Sequence, residues 1–511
     1  MANDGANERA LLDSRQMGEA DRLTIAGGLP GIVLMERAAG AVTSALLAAY
    51  ASGRRIAVLA GPGNNGGDGY AVARLLAERG REATLFFLVA PDHLTGDAAL
   101  AANAYHGPAR PLDEFTTTGF DLIVDGLFGA GLARAVEGQA AAAIEAVNAS
   151  GLPVVAIDLP SGISGASGAQ LGTAIAADLT VTFFRQKPGH LLEPGRGACG
   201  RTVVADIGIP ASVLDTIAPR VFANGPALFR DRMACPGDAG HKYDRGHAVV
   251  FSGGATQTGA ARLAAMAALR GGAGLVTVYA PGSALLAHAA HLTAIMLKRC
   301  NDADDLAALL EDGRTNAFVL GPGFGVGDKA RAYSTMVLAA GRRLVLDADG
   351  ITAFQDDPEA LYAAACKAGG DGETPLVLTP HAGEFRRLFP DIAADETLSK
   401  LDRAQAAAIR ANAVVILKGR DTVIATPGGR AAINANGTPW LATAGSGDVL
   451  AGIVAAQLAQ GTPTFEAACA GVWMHGRAAE HFGPGLIAED LPDMLPKAHA
   501  ELAAGGASPS R

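Results

Sequence analysis

At 511 residues, 49% of them hydrophobic and 18% charged, the chain holds enough apolar material for two or three separately cored domains and too few charges for a disordered chain. Its net charge of −10, with no basic stripe, argues against nucleic acid as a partner. Five scattered cysteines without a C-x-x-C pair favour neither a disulfide framework nor a zinc site and fit a reducing cytoplasm; the polar, acidic start is unlike a signal peptide, and no uninterrupted apolar run reaches membrane-spanning length.

Apolar spacing predicts helices from about Leu12 to Tyr50, most clearly over "GIVLMERAAGAVTSALLAAY". Alternating strand and helix patterns then run to about Ile209, the pattern of an α/β domain on a parallel sheet. Three loops there share one design, in which an apolar strand gives way at once to glycines and oxygen-bearing side chains. They are "GPGNNGGDG" (Gly61 to Gly69) after Ile56–Ala60, "DGLFGAGL" from Asp125, and "DLPSG" from Asp158. Such loops collect at the carboxyl ends of parallel strands, where ligands bind, and can converge on one crevice that holds a nucleotide-like ligand. A helix predicted from Tyr70 would aim its N-terminal amides at an anion. The Gly- and Pro-dense stretch Arg185 to Gly200 reads as an ordered loop near the same end.

For these motifs a simpler reading also exists. A lone Gly-rich loop can be a mere strand–helix turn, and Asp125 or Asp158 alone can be a cap. Asn64, Asn65 and Asp68 add ligand groups that a turn does not need. Asn65, Asp125 and Ser161 offer only hard oxygen donors, which suits an alkali cation and not a soft metal. That leaves Asp158 for proton transfer, as base or acid.

Periodicity weakens between Pro210 and Ala239, which places a boundary near Ala223 and domains at residues 1–222 and 223–511. A second α/β series follows, with strands expected at Ala248–Phe251, Leu275–Tyr279, Ala317–Leu320, Leu344–Asp347, Leu376–Leu378 and Val414–Leu417; the tail "AAGGASPSR" reads as disordered. "LVLTPHAGEF" puts His381 and Glu384 just past a strand. "VVILKGRDTVIA" reads as strand, turn, strand with Lys418 at the turn. "TAGSGDVLAGIVAAQLA" starts a helix at Gly445, Ser446, Gly447 and Asp448, an anion hole reinforced by the helix dipole. Taken singly, His381 is structural, Lys418 a solvated charge and Asp448 an N-cap; together they read as a phosphate site, although no Walker-type P-loop occurs. Asp448 would orient or deprotonate a hydroxyl meeting a phosphoryl group.

The three first-half loops resemble those of the NAD(P)H-hydrate epimerase family over about Leu12 to Pro210. "TPHAGEF", "LKGRDTVI", "AGSGDVLAGI" and "LGPGFG" resemble the ADP-dependent NAD(P)H-hydrate dehydratases, within the ribokinase-like superfamily, over about Ala223 to Leu502. The resemblance implies a Rossmann-like three-layer α/β/α domain followed by a ribokinase-like α/β domain. In the first it implies potassium at Asn65, Asp125 and Ser161. It implies hydrated-nicotinamide binding by Asn64, Asn65, Gly66, Gly67 and Asp68, by Gly129, Ala130, Gly131, Leu132, Ala133, Arg134 and Ala135, and by the catalytic Asp158. In the second, Ala260, Gly323, His381 and the catalytic Asp448 would contact the hydrated dinucleotide, while Lys418, Gly419, Arg420, Asp421, Thr422 and Gly447 would contact the adenine nucleotide. "SGISGASG" departs from the epimerase pattern by lacking an acidic residue after the serine-glycine turn, and Ser446 stands where threonine is common.

The chemistry so implied is coenzyme repair. Hydration leaves a hydroxyl at C6 of the nicotinamide ring in R and S forms. The first domain would interconvert them, and the second would dehydrate the S form using ADP with magnesium, releasing AMP and phosphate. Small molecules are then the partners, in a cytoplasmic homo-oligomer. The rivals are a small-molecule kinase fused to a nucleotide-binding module, and a catalytically silent scaffolding first half. A plain dehydrogenase fits less well, because the first loop lacks a clean G-x-G-x-x-G.

Overall fold

The computed structural model describes residues 4–234, 241–370 and 373–505. It divides into two compact units, Met1–Val221 and Phe222–Arg511.

The first unit is built on seven strands: β1 Arg55–Ala60, β2 Glu82–Phe87, β3 Ala109–Pro111, β4 Leu122–Gly126, β5 Val154–Ile157, β6 Leu179–Phe183 and β7 Arg201–Ala205. They pair in the order β3-β2-β1-β4-β5-β6-β7, all parallel. Strands β4, β5 and β6 are buried along their whole length, as the β-branched runs "LIVDG", "VVAI" and "LTVTF" require of a sheet covered on both faces. The order reverses between β1 and β4, so the loops after these two strands diverge and leave a crevice.

Helix Gly31–Ala49 is apolar and long enough to cross a membrane. It nonetheless carries Glu36, whose carboxylate receives Arg74 of the helix Asn64–Glu78 at 2.5 Å. That second helix begins six residues before the expected Tyr70, so "NNGGDG" forms its first turns and not a free loop. The reason is steric: a Cβ on Gly66 would overlap the Gly61 carbonyl, and one on Gly67 would meet Ala98 and the Met35 methyl at 2.8 Å. The glycines let a helix start where a loop reading was natural.

The sheet of the second unit contains β8 Val221–Ala223, which starts at the last residue of the first unit, β9 His247–Phe251, β10 Leu275–Ala280, β11 Met296–Arg299, β12 Ala317–Leu320, β13 Arg343–Leu346, β14 Leu376–Leu378, β15 Val414–Leu417, β16 Val423–Ala425 and β17 Ala431–Ile433. Their order is β11-β10-β9-β12-β13-β14-β15-β16-β17-β8. Pairing is parallel from β11 to β15 and antiparallel through β15, β16 and β17. All six expected strands are present within a residue or two of their bounds. Here the reversal lies between β9 and β12. Of the tail, Ala503 and Ala504 close the helix Leu491–Ala504, and residues 506–511 lie outside the described residues.

Helix Ser446–Ala459 is buried on every side from Val449 onward, so its apolar residues form no single stripe. It packs on helix Thr258–Arg270 through Gly452, where a Cβ would overlap the carbonyl of Ala264. Gly452→Ala is therefore an overpacking change between two backbones and should cost about 1–3 kcal/mol. Thermal or denaturant melting checks this; an unchanged midpoint would contradict the close packing.

Candidate active sites

In the first unit the loops after β1, β4 and β5 meet backbone to backbone. A Cβ on Gly61 would overlap the Leu127 carbonyl, and one on Gly126 would sit 3.1 Å from the Asn65 carbonyl. Beside them lies a cavity of about 720 Å³, room for a dinucleotide-sized ligand. Asn64, Asn65, Asp68, Asp158 and all of Gly129–Arg134 line it. Gly66 and Gly67 are buried away from its lining, and Ala135 is exposed on the loop and does not line it either.

Asp125 and Ser161 lie fully buried. The Ser161 hydroxyl donates to Asp125 Oδ1 at 2.6 Å and its amide to Oδ2 at 2.7 Å, with the Leu127 amide on Oδ1 at 3.2 Å. Burial still pushes the Asp125 carboxyl up to about 6 against these bonds. The Asn65 side-chain nitrogen is buried without a partner. Turned over, this amide would present a carbonyl oxygen in the same place, and an unpaired oxygen is what a cation needs. Asn65, Asp125 and Ser161 thus fit an alkali ion, by donor chemistry and by the charge that Asp125 lacks a partner for.

Asp158 holds the centre. Its φ of 65° is left-handed, a conformation Asp tolerates better than most residues. Its Oδ1 accepts from Lys187 Nζ at 2.5 Å and Thr182 Oγ1 at 2.9 Å, and its Oδ2 from the Ala130 amide at 3.1 Å. Burial pushes this carboxyl up, but the Lys187 charge and hydrogen bond outweigh it and hold the group at about 2. His190 fixes the backbone: the Lys187 amide donates to Nδ1, so Nε2 carries the proton and donates to the Asp158 carbonyl at 2.8 Å. Burial first, and then the Lys187 charge, lower this imidazole to about 4 and keep it neutral.

Lys187, Thr182 and His190 escaped the sequence reading. The only signal was the Gly- and Pro-dense loop that carries two of them. Asp68 is pushed well above the usual carboxyl range by burial and then by Asp158 and Asp21. Asp21, from helix Ser14–Ala26, also lines the cavity, and nothing in its surroundings in the chain marked it.

In the second unit the loops after β9 and β12 touch, because Gly253 lies against the Gly323 carbonyl. Gly323, at φ 61°, also comes within Cβ contact of Ala260 at the start of helix Thr258–Arg270. Gly445, at φ 86°, caps helix Ser446–Ala459; a Cβ on it would meet Leu263 at 2.8 Å and Asp448 Oδ2 at 3.9 Å, which ties Asp448 to the helix that carries Ala260.

Lys418 Nζ donates to Asp347 Oδ1 at 2.9 Å and lies 3.8 Å from Glu384 Oε2, while a Cβ on Gly447 would stand 3.4 Å from the same Nζ. Burial lowers this ammonium, yet the facing carboxylates Asp347, Glu384 and Asp448 leave it raised overall. Asp448 itself is pushed up to about 6 by burial and then Asp347, with Lys418 opposing.

His381 closes a capping box on helix Ala382–Leu388. Its Nδ1 accepts from the Gly383 amide at 2.8 Å, and Glu384 Oε2 accepts from the His381 amide at 2.8 Å. The turn Lys418–Thr422 is closed by Thr422 Oγ1 against Gly419, and Lys400 Nζ reaches Asp421 Oδ1 at 2.5 Å. All the expected residues of this site therefore sit at strand ends, in the turn Lys418–Thr422 or in first helical turns, while Asp347 and Lys400 are additions. The run "LVLDADG" did carry the strand-then-oxygen pattern of the other loops.

A family model described as NAD(P)H-hydrate dehydratase matches residues 248–497, and one described as YjeF-related protein N-terminus matches residues 31–189. The Bifunctional NAD(P)H-hydrate repair enzyme Nnr of Moorella thermoacetica is 36% identical, over 95% of this chain and 96% of its own length. That of Gloeobacter violaceus is 36% identical over 94% and 96%. The crystal structure of ADP/ATP-dependent NAD(P)H-hydrate dehydratase from Bacillus subtilis with ATP/Mg2+ is 26% identical, covering 54% of this chain and 97% of its own, at a TM-score of 0.47. Two strand-end sites in one chain, matched along nearly its whole length, show that the chain belongs to the family of bifunctional NAD(P)H-hydrate repair enzymes.

Proposed function

We propose that this chain repairs hydrated NADH and NADPH: the first unit interconverts the R and S hydrates at C6, and the second dehydrates the S hydrate with ADP, yielding the reduced coenzyme, AMP and phosphate. The observation that carries the reading is the presence in one chain of two different carboxylate–lysine sites, one lining a dinucleotide-sized cavity and one facing a helix N-terminus. A kinase alone has no use for the first, and a binding module has no use for a buried, ionised Asp158.

In the first site the substrate would lie against Asn64, Asn65, Asp68 and Gly129–Arg134. Asp158, held ionised, keeps the Lys187 ammonium aimed at the cavity, where it can protonate the departing C6 hydroxyl. Asn65, Asp125 and Ser161 would hold potassium, whose charge, when bound, supports the substrate's diphosphate region.

In the second site Ala260, Gly323 and His381 would place the hydrated ring near Asp448. Lys418 to Thr422 and Gly447 would take the adenine nucleotide. Asp448 accepts the C6 hydroxyl proton as that oxygen bonds the β-phosphorus of ADP and the bond to AMP breaks. The new ester then leaves as phosphate while C5 gives up a proton. Lys418 and the amides at Gly445–Asp448 balance phosphate charge. Magnesium would travel on the nucleotide phosphates; among the described residues no three Asp, Glu, His or Cys side chains group to hold a metal. Buried free thiols at Cys199, Cys300 and Cys469 support a reducing, cytoplasmic setting, and a homo-oligomer is the state we infer from the resemblance.

The decisive experiment supplies a mixed-epimer sample of hydrated NADH with ADP or ATP in turn and follows the reduced-nicotinamide absorbance. Full recovery with ADP supports the proposal; a stable phosphorylated product without NADH would favour a kinase. Asp158→Asn should abolish epimer exchange and leave S-specific dehydration intact, so that only the S fraction recovers; normal conversion of the R epimer would contradict the assignment. The dehydration rate should fall as pH drops through about 6, where Asp448 takes up a proton. Because Lys418 lowers that group, Lys418→Met should move the acid limb to higher pH. A limb that stays in place would remove Asp448 as the base.

A further inference from the structure

Inverting C6 is a two-faced reaction: a hydroxyl leaves one face of the ring as water, and water returns to the other. One face needs an acid while the opposite face needs a base. The Lys187–Asp158 pair stands on the strand-end wall of the cavity. Helix Ser14–Ala26 supplies another wall through Ser14, Met17, Gly18, Asp21 and Ile25, and Asp21 is the one ionisable group among them. Among the described residues no hydrogen bond reaches the Asp21 carboxylate. Its charge faces Lys187 and Asp158, and Asp68 lies close enough to feel it. The cavity's remaining charged groups are Asp97 and Arg134. Asp21 is partly buried, and its carboxylate, without a protein partner, is free to meet a ligand in the cavity.

We propose that Asp21 is a catalytic residue of the epimerisation, the second proton-transfer group that serves the ring face turned away from Lys187. This rests on the epimerase reading of the first unit. In one direction the ring-nitrogen lone pair forms the C6–N double bond, the C6–O bond breaks, and the departing oxygen takes a proton from Lys187 Nζ. Water then adds to C6 from the other side, its proton passes to the Asp21 carboxylate, and the π pair returns to nitrogen. Asp21 and Lys187 exchange that proton to reset the site, and the reverse reaction uses the same groups in exchanged roles. Burial first, then Asp158, push Asp21 up to about 6 against the opposing Lys187 charge, which suits a group that must both take and give a proton near neutrality.

The test measures epimer exchange and S-hydrate dehydration separately in the full chain for wild type, Asp158→Asn, Asp21→Asn and Asp21→Ala. Asp21→Asn should lower kcat of exchange by at least about 100-fold with KM and dehydration unchanged. Added formate or acetate should restore part of the exchange rate in Asp21→Ala, which a merely structural role would not show. An unchanged kcat in Asp21→Asn, a rise in KM alone, or a folded Asp21→Ala that carboxylates do not rescue would each overturn the proposal. Should wild type itself fail to exchange epimers, the reading of the first unit falls; an active wild type with inactive Asp158→Asn and fully active Asp21→Asn removes Asp21 alone.

Discussion

Backbone-to-backbone contact between neighbouring strand-end loops is the constraint on which both units depend. Gly61 against Leu127, and Gly253 against Gly323, leave no room for a single methyl group. Each contact lies at the point where its sheet reverses strand order, between β1 and β4 or between β9 and β12. Diverging loops would otherwise open a gap there. Glycine closes the floor of the gap and leaves its mouth open, so amides and short side chains line that mouth from rigid positions.

On this frame both units solve a charge problem in the same way. In the first, Asp158 after β5 receives the hydroxyl of Thr182 from the adjoining β6 and the ammonium of Lys187 from the loop beyond. In the second, Asp347 after β13 receives the hydroxyl of Thr379 at the end of β14 and the ammonium of Lys418 from the end of β15. One carboxylate oxygen takes both donors in each case. A carboxylate taken out of water needs such partners, and a lysine only 2% exposed, as Lys187 is, needs the carboxylate in turn. The two units diverge in what faces the pair: a broad cavity in the first, and in the second the amides of a helix N-terminus beside Asp448, whose carboxyl is pushed up to about 6 by burial and then by the Asp347 charge.

Much of this was legible in the chain because strand-then-glycine patterns are local. Asn65, Asp125, Asp158, Lys418 and Asp448 all sit within a few residues of a readable apolar run. Partners supplied across the sheet were not legible. Thr182 looks like any strand threonine, and Lys187 is one lysine in a loop. Asp21 belongs to a helix whose only visible pattern is amphipathic, and the fold alone brings it to the cavity. The helix start at Asn64 is hidden in the chain because glycines argue against a helix unless a neighbouring carbonyl demands them, and that carbonyl, at Gly61, becomes visible only in three dimensions.

The left-handed backbone at Asp158 restricts what evolution can do there. Few residues other than glycine, asparagine and aspartate hold that conformation cheaply, and of these only aspartate neutralises the ammonium beneath it. Chemistry and folding therefore draw on the same negative charge. A descendant that lost Asp158 would strand a lysine only 2% exposed without its counter-charge, so change at either of these two positions obliges change at the other.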